Sequence, residues 1–180
     1  MVIGRLCSIY WGTVGDCDEV YNYWEPFHFT IYGKGFQTWE YDPKYGLRSY
    51  AYILLHVVPS WIYAQVLEPN PVYVYFVTRA LLALICAGCE TYFYIGVSKE
   101  IGANVGRITL GLLICSAGMF VSGTTFLPST TSMYLAMLSH GAWFQQSYAL
   151  AIFATALSTY ISWPFAALLG LPIACDIVLR

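Results

Sequence analysis

Apolar residues fill most of this chain after about position 50, whereas charged residues gather near its start. The stretch 71–97 reads as a clear membrane span, because its apolar run exceeds the ~20 residues that cross a hydrocarbon core. Arg79 and Glu90 lie inside it. Roughly three helical turns separate them, so both can face the interior of a bundle. Snorkelling from opposite ends is the alternative. Further apolar runs follow at 108–123, 130–144, 147–162 and 166–179. They are divided by the polar turn Lys99 to Arg107, by Thr124-Thr125-Phe126-Leu127-Pro128-Ser129, and by Trp163-Pro164-Phe165. Several fall short of ~20 residues and read as tilted or re-entrant. The run 50–67 carries His56, Pro59 and Gln65, and fits either a span or a helix lying at the interface. The pattern predicts an all-α, multi-pass transmembrane helical fold.

Residues 16–49 break this pattern. Asp16, Asp18, Glu19, Glu25, Glu40 and Asp42 alternate there with Tyr21, Tyr23, Trp24, Phe27, Phe29, Tyr32, Phe36, Trp39 and Tyr41. Asp16 or Asp18 is suited to cap a helix running through Glu25, and Pro26 is expected to end or kink it. On that helix Asp18, Asn22 and Glu25 share one face, while Tyr21, Trp24 and Phe27 lie on the other, suited to the headgroup boundary. Before this stretch, Met1 to Gly15 is interrupted by Arg5. It lacks the apolar core and cleavage pattern of a signal peptide and is too short to span. The organisation expected is a divergent N-terminus at 1–15, a polar loop region with interfacial helices at 16–70, and part of a transmembrane helical region at 71–180.

Composition agrees. Hydrophobic residues make up 58% and charged residues 10% of the 180, against about 25% charged in a soluble domain, and the mean hydropathy is +0.59. A net charge of −2 provides no basic footprint for nucleic acid. The expected partners are the lipid bilayer and polar substrates held at its surface. Cys86 and Cys89 have the CxxC spacing but lie within an apolar run without further Cys or His neighbours, so no metal site is expected.

The chemistry-bearing groups therefore sit in the loop. Clustered carboxylates suit divalent-cation binding or proton abstraction from a hydroxyl. Asp16, Asp18 and Glu19 lack the calcium-loop spacing, and a general base needs only one carboxylate within reach of the attacking oxygen. Trp24 and Trp39 could stack on sugar faces. Lys34, Lys44, Arg48, His28 and His56 could meet phosphate, as could the backbone of the Gly33-Lys34-Gly35 turn. An amphipathic helix resting on the bilayer, with no catalytic role, fits the same residues.

The motifs Asp16-Cys17-Asp18-Glu19, Asn22-Tyr23-Trp24-Glu25-Pro26, Gly35-Phe36-Gln37-Thr38-Trp39-Glu40-Tyr41 and Arg48-Ser49-Tyr50-Ala51-Tyr52 closely resemble the first luminal loop of one enzyme family. It is the dolichol-phosphate-mannose-dependent α-1,2-mannosyltransferases of asparagine-linked glycan assembly, multi-pass endoplasmic reticulum membrane proteins of the GT-C superfamily. Phe126 to Ser129, Trp163-Pro164-Phe165 and Gly170-Leu171-Pro172-Ile173-Ala174 are similar to later stretches of it. The resemblance runs from about Asp16 onward.

The resemblance implies transfer of mannose from dolichyl phosphate mannose to a dolichol-linked oligosaccharide acceptor, with inversion and without a metal or other cofactor. It puts the acidic pair on Asp18, as general base, and Glu19, which would orient that base or the acceptor. It implies substrate contacts from Trp24, Glu25, Trp39, Glu40 and Arg48, the last facing the leaving phosphate. The loop is expected in the lumen: if 50–67 lies flat, loop and Lys99–Arg107 turn fall on opposite faces, and the basic turn belongs in the cytosol. Family members are several times longer and start with a span that Met1–Gly15 replaces. The chain is thus expected to be an N-terminal fragment or short isoform, with little or no transferase activity alone. A related mannosyltransferase of glycosylphosphatidylinositol assembly and a non-enzymatic truncated membrane isoform are the alternatives.

Overall fold

The computed structural model describes residues 1–67 and 70–179; positions 68 and 69, near the end of the expected loop region, and the C-terminal position 180 lie outside the described residues. Among the described residues the regular structure is all helical. The centre is α5 (Pro71–Glu100), a 30-residue helix and the one helix described that is long and apolar enough to cross a membrane. At 1.5 Å per residue it is about 45 Å long. Asn70 caps it, its side chain accepting from Val72 N–H at 3.0 Å, and Pro71 occupies the first turn, where its missing N–H costs nothing.

Against α5 pack α1 (Val2–Trp11) and α8 (Pro128–Phe144), and α9 (Tyr148–Ile161) packs in turn on α8. The α5–α8 contact depends on glycine. A Cβ on Gly96 would come within 2.7 Å of the Gly141 carbonyl, and one on Gly141 within 2.9 Å of the Phe93 Cα. The stretch expected as one run over 108–123 is broken: α6 (Ala103–Cys115) ends and α7 (Ala117–Ser122) begins at Ser116, whose hydroxyl caps the new helix by accepting from Met119 N–H. The last apolar run likewise divides, into a 3-10 turn at Pro164–Gly170 and α10 (Leu171–Leu179).

The charges inside α5 are both buried, which decides against snorkelling. They pair not with each other but with α1. Arg5 reaches both oxygens of Glu90, with Nε at 3.0 and 3.2 Å, and sends its terminal nitrogens also to the Met119 and Leu113 carbonyls. Arg79 donates to the Gly12 and Ser8 carbonyls at 2.9 and 3.0 Å and to the Thr124 hydroxyl at 2.8 Å. Those carbonyls belong to the open end of α1, so Arg79 serves as its C-terminal cap. Two buried guanidiniums thus tie α1, α5 and the ends of α6 and α7 into one unit.

The polar region is built on this unit. It runs through α2 (Cys17–Glu19), a π turn (Val20–Trp24) and α3 (Glu25–Tyr32), then an irregular stretch holding a 3-10 turn at Trp39–Tyr41, and ends in α4 (Ala51–Leu67). Of the two expected outcomes, an end or a kink, Pro26 does not end the helix but follows a π turn that distorts it. A proline there cannot donate to the Asn22 carbonyl and would clash with it in a regular α-helix. The preceding π turn absorbs the conflict, with Glu25 N–H bonding five residues back to Val20, and Tyr41 Oη supplies the Asn22 carbonyl with the missing donor at 2.6 Å. The helix instead ends at Gly33, whose left-handed backbone (φ 68°) closes it.

The candidate site at the acidic helix start

Asp16 caps the helix, its Oδ1 accepting from Asp18 N–H at 2.9 Å. Asp18, half exposed, uses a single oxygen for two bonds. Its Oδ1 accepts from the Asn22 side-chain amide in a short contact and from Arg48 Nη2 at 2.9 Å. Its Oδ2 has no hydrogen-bond partner among the described residues. Arg48 distributes its remaining donors to Glu40, in a short ion pair from Nε, and to Tyr23 Oη at 2.7 Å. Burial alone would lower the guanidinium, but its bond to Glu40, with Tyr23 and Asp18 beside it, carries it above its ordinary value, so it stays charged. Burial pushes the Tyr23 phenol up, partly opposed by Arg48. Since that oxygen accepts from Arg48, its own proton remains available to donate.

Asp18, Arg48 and Glu40, distant in sequence, therefore meet. The predicted Glu25 does not join them. The π turn adds a residue to the local winding and rotates Glu25 off the Asp18–Asn22 face, so that Oε2 accepts from Phe36 N–H at 3.1 Å. That carboxylate also occupies the Gly33-Lys34-Gly35 turn, within 3.3 Å of where a Cβ on Gly35 would sit, so the turn does not offer itself to an anion. Lys34 gives its carbonyl to His28 Nδ1. His56 is buried against Tyr52 and Phe126.

Glu19 is buried, 2% exposed. Its Oε1 accepts from Trp24 Nε1 at 3.0 Å and from Phe126 N–H at 2.8 Å, linking the acidic helix to the segment ahead of α8. Phe126 is enclosed by Tyr23, Trp24, Phe27, Tyr52 and His56, with ring centroids 4.7–6.2 Å away. The headgroup position expected for Trp24 and Phe27 is thus replaced by core packing, because Phe126 brings its own apolar surface to them; Tyr21 alone of the three is exposed. Trp39 is also exposed, edge-on to Tyr45 at 5.4 Å, and keeps a free ring face. Sequence reasoning put Asn22 on the Asp18 face, where it bonds that carboxylate, but missed Tyr23 and Phe126 as parts of this centre. The signal available was their place inside the motifs already singled out.

Beside the Arg48 cluster opens a cavity of about 710 Å³. Arg48, Glu40 and Tyr23 form its polar wall; Tyr52, Leu55 and Trp163 give it an apolar one. The cavity thus sets a guanidinium, already paired with two carboxylates, above an apolar trough.

Comparison with known proteins gives a consistent result. The model of the Alg9-like mannosyltransferase family matches residues 1–180, so the likeness starts ahead of Asp16 and takes in α1. The chain is 47% identical over 99% of its length to alpha-1,2-mannosyltransferase Alg9 of Drosophila melanogaster and 45% identical over 100% to alpha-1,2-mannosyltransferase ALG9 of Mus musculus. It spans 29% and 30% of those relatives. Likeness to GPI alpha-1,2-mannosyltransferase 3 of Danio rerio is lower, 28% over 68% of the chain and 22% of that protein. No solved structure matches.

Proposed function

Because the chain belongs to the Alg9-like mannosyltransferase family, we propose that it carries the proton-abstracting and phosphate-binding end of an α-1,2-mannosyltransferase, acting on dolichyl phosphate mannose and a dolichol-linked oligosaccharide in the lumen of the endoplasmic reticulum. The observation that carries the proposal is Asp18: two donors fix one oxygen and leave the other unused, and one of those donors, Arg48, lines the large cavity.

On this reading the reaction is a single inverting displacement. The acceptor hydroxyl gives its proton to Asp18 Oδ2 while its oxygen bonds to the mannose anomeric carbon from the face opposite the leaving group. The bond from that carbon to the phosphate oxygen breaks, the configuration inverts, and dolichyl phosphate leaves with one more negative charge. Arg48, with Tyr23 as a further donor, is placed to offset that charge. Asn22 and Arg48 hold Asp18 in position, Glu40 holds Arg48, and Glu19 anchors the helix start through Phe126. Trp39 offers a ring face for sugar, whereas Trp24 serves by holding Glu19.

The membrane arrangement is part of the same reading. The acidic region meets the first turns of α5 through Trp24 and Tyr75, whose rings are 4.6 Å apart, while Lys99 near the other end bonds Gln145. Loop and basic turn thus lie at opposite ends of a helix long enough to cross a bilayer, which favours a luminal loop, a cytosolic turn and a multi-pass body.

A chimera tests this: residues 1–180 replace the matching stretch of the mouse relative in mouse cells lacking that protein, and lipid-linked oligosaccharides are profiled. Restored α-1,2 mannose addition, lost with Asp18→Asn, is the expected result. A chimera that restores surface delivery of glycosylphosphatidylinositol-anchored proteins instead would favour the anchor pathway. A chimera whose activity survives Asp18→Asn undiminished would leave Asp18 a structural role.

A further inference from the structure

Arg79 is buried, 3% exposed, yet among the described residues no carboxylate pairs with it. A guanidinium without a counter-charge in so dry a place is costly, so the course of its donors is informative. Its two terminal nitrogens divide alike. Nη2 gives one hydrogen to the Ser8 carbonyl and the other to Thr124 Oγ1, at 3.0 and 2.8 Å. Nη1 gives one to the Gly12 carbonyl and the other to Tyr75 Oη, at 2.9 and 2.7 Å. Capping α1 accounts for only half of this fork.

The other half leads, by two routes, to one atom. Thr124 lies in the connector 123–127 between α7 and α8, which is held at successive residues. The Gly123 carbonyl accepts from Tyr134 Oη at 2.8 Å, Thr124 accepts from Arg79, and the Thr125 hydroxyl bonds that of Thr130. Phe126 N–H then donates to Glu19 Oε1 at 2.8 Å. On the second route, the Tyr75 ring lies 4.6 Å from that of Trp24, whose Nε1–H donates to the same Glu19 oxygen at 3.0 Å. Both donors on Glu19 are therefore placed by groups that Arg79 holds. Glu19 is the last residue of α2, and Asp18 precedes it.

We infer that Arg79 is a positioning residue for the reaction. Through Thr124 and Tyr75 it fixes the two donors that hold Glu19, and with them the setting of the helix start that carries Asp18. It makes no hydrogen bond to Asp18 itself, which Arg48 and Asn22 hold from other parts of the chain. The inference rests on the mannosyltransferase reading for the reaction it serves.

The test cuts the two links and spares the α1 cap. Thr124→Val keeps the shape and removes the hydroxyl, Thr124→Ser keeps the hydroxyl, and Tyr75→Phe keeps the ring. The first readout is the Trp24 indole N–H resonance of the ¹⁵N-tryptophan-labelled chain in lipid nanodiscs, assigned by its loss in Trp24→Phe. The Trp143 indole, which donates to Asp176 at 2.8 Å, is the internal reference. Thr124→Val and Tyr75→Phe should each move the Trp24 signal upfield and leave Trp143 in place; Thr124→Ser should restore it.

The second readout is mannosyl transfer by the chimera. Its kcat should fall about tenfold in Thr124→Val, as for one hydrogen bond to a charged group, and about threefold in Tyr75→Phe. KM for the lipid donor should stay unchanged, because Arg48 is untouched. Each variant leaves an Arg79 N–H without its acceptor, so some loss of melting temperature is expected on either account. A lower melting temperature with unmoved Trp24 and unchanged kcat would make Arg79 a cap for α1 alone and overturn the inference. Failure of Thr124→Ser to restore either readout would do the same. If Thr124→Val does not fold, Tyr75→Phe, at a half-buried position, decides by the same two readouts. An active chimera with Trp24 unmoved sinks this inference alone. A wild-type chimera that transfers no mannose, with Trp24 moving as expected, sinks the mannosyltransferase reading and leaves Arg79 setting the acidic helix.

Discussion

Arg5 with Glu90, and Arg48 with Asp18 and Glu40, use the same chemistry in two settings. The first pair is sealed, its side chains 3% and 0% exposed, and the guanidinium's other donors end on the Met119 and Leu113 carbonyls. The second cluster is open: Arg48, Asp18 and Glu40 keep 22%, 38% and 23% of their side-chain surface. Glu90 has both oxygens occupied, Asp18 only one. A carboxylate with both oxygens bonded and no route to solvent can hold helices together but cannot take a proton from a substrate. One that is fixed by one oxygen and free at the other can. The difference between scaffold and site is therefore what remains unspent, not which residues are present.

Breaking the sealed pair should have the largest effect. Glu90→Ala leaves a buried guanidinium with no counter-charge and should cost about 3–5 kcal/mol, read as loss of the folded chain in thermal unfolding of the nanodisc-embedded protein. The double variant Arg5→Met with Glu90→Leu removes both charges and should recover most of the loss. If Glu90→Ala melted like the wild type, the clamp would carry no weight. The open cluster should respond in the opposite way. Asp18→Asn, which keeps the shape and an acceptor for Arg48, should lower mannosyl transfer by the chimera about 10²–10⁴-fold, the usual contribution of a general base, with an unchanged melting temperature. A comparable drop in stability would put Asp18 with Glu90.

Between these lies Arg48→Lys. The ammonium keeps a charge but cannot bridge Asp18, Glu40 and Tyr23 from one planar group. Transfer should fall about tenfold, chiefly through weaker use of the lipid-phosphate donor, in chimera assays with that donor titrated. An unchanged dependence on donor would remove Arg48 from the phosphate's side of the reaction.

The two settings also differed in how far the chain disclosed them. The open cluster was partly legible: Asp18, Glu40 and Arg48 stood out as polar residues in an otherwise apolar chain, while their roles came from the resemblance and nothing local indicated that they would meet. The long apolar helix over 71–97 was legible from length and composition, and α5 extends it only to Glu100. The sealed pair was half legible. Glu90 stood out as a charge within a span, but its partner Arg5 lies 85 positions away, and nothing local indicates a contact that only the packing of α1 on α5 creates. The course of the helix past Pro26 was hidden for the same reason: local rules give proline the power to stop a helix, and the donor that lifts the conflict, Tyr41, arrives from the next turn of chain.

That last contact supplies the smallest test, on the border between the two settings. Tyr41 is buried and donates to the carbonyl that Pro26 leaves without a helical partner. Tyr41→Phe keeps the ring and removes only the hydroxyl, so the Asn22 carbonyl loses its donor at a cost of about 1–2 kcal/mol, a fall of a few degrees in melting temperature for a chain of this size. If the π turn exists because of the proline, the penalty must depend on it. In a Pro26→Ala background residue 26 regains an N–H that can serve the Asn22 carbonyl, and Tyr41→Phe should then cost markedly less. A double-mutant cycle with zero coupling would mean that the turn is held by Phe126 packing and the Glu19 bond rather than by the proline. A positive coupling would show that one proline and one distant hydroxyl set the winding that turns Glu25 away and leaves Asp18 with Asn22 and Arg48.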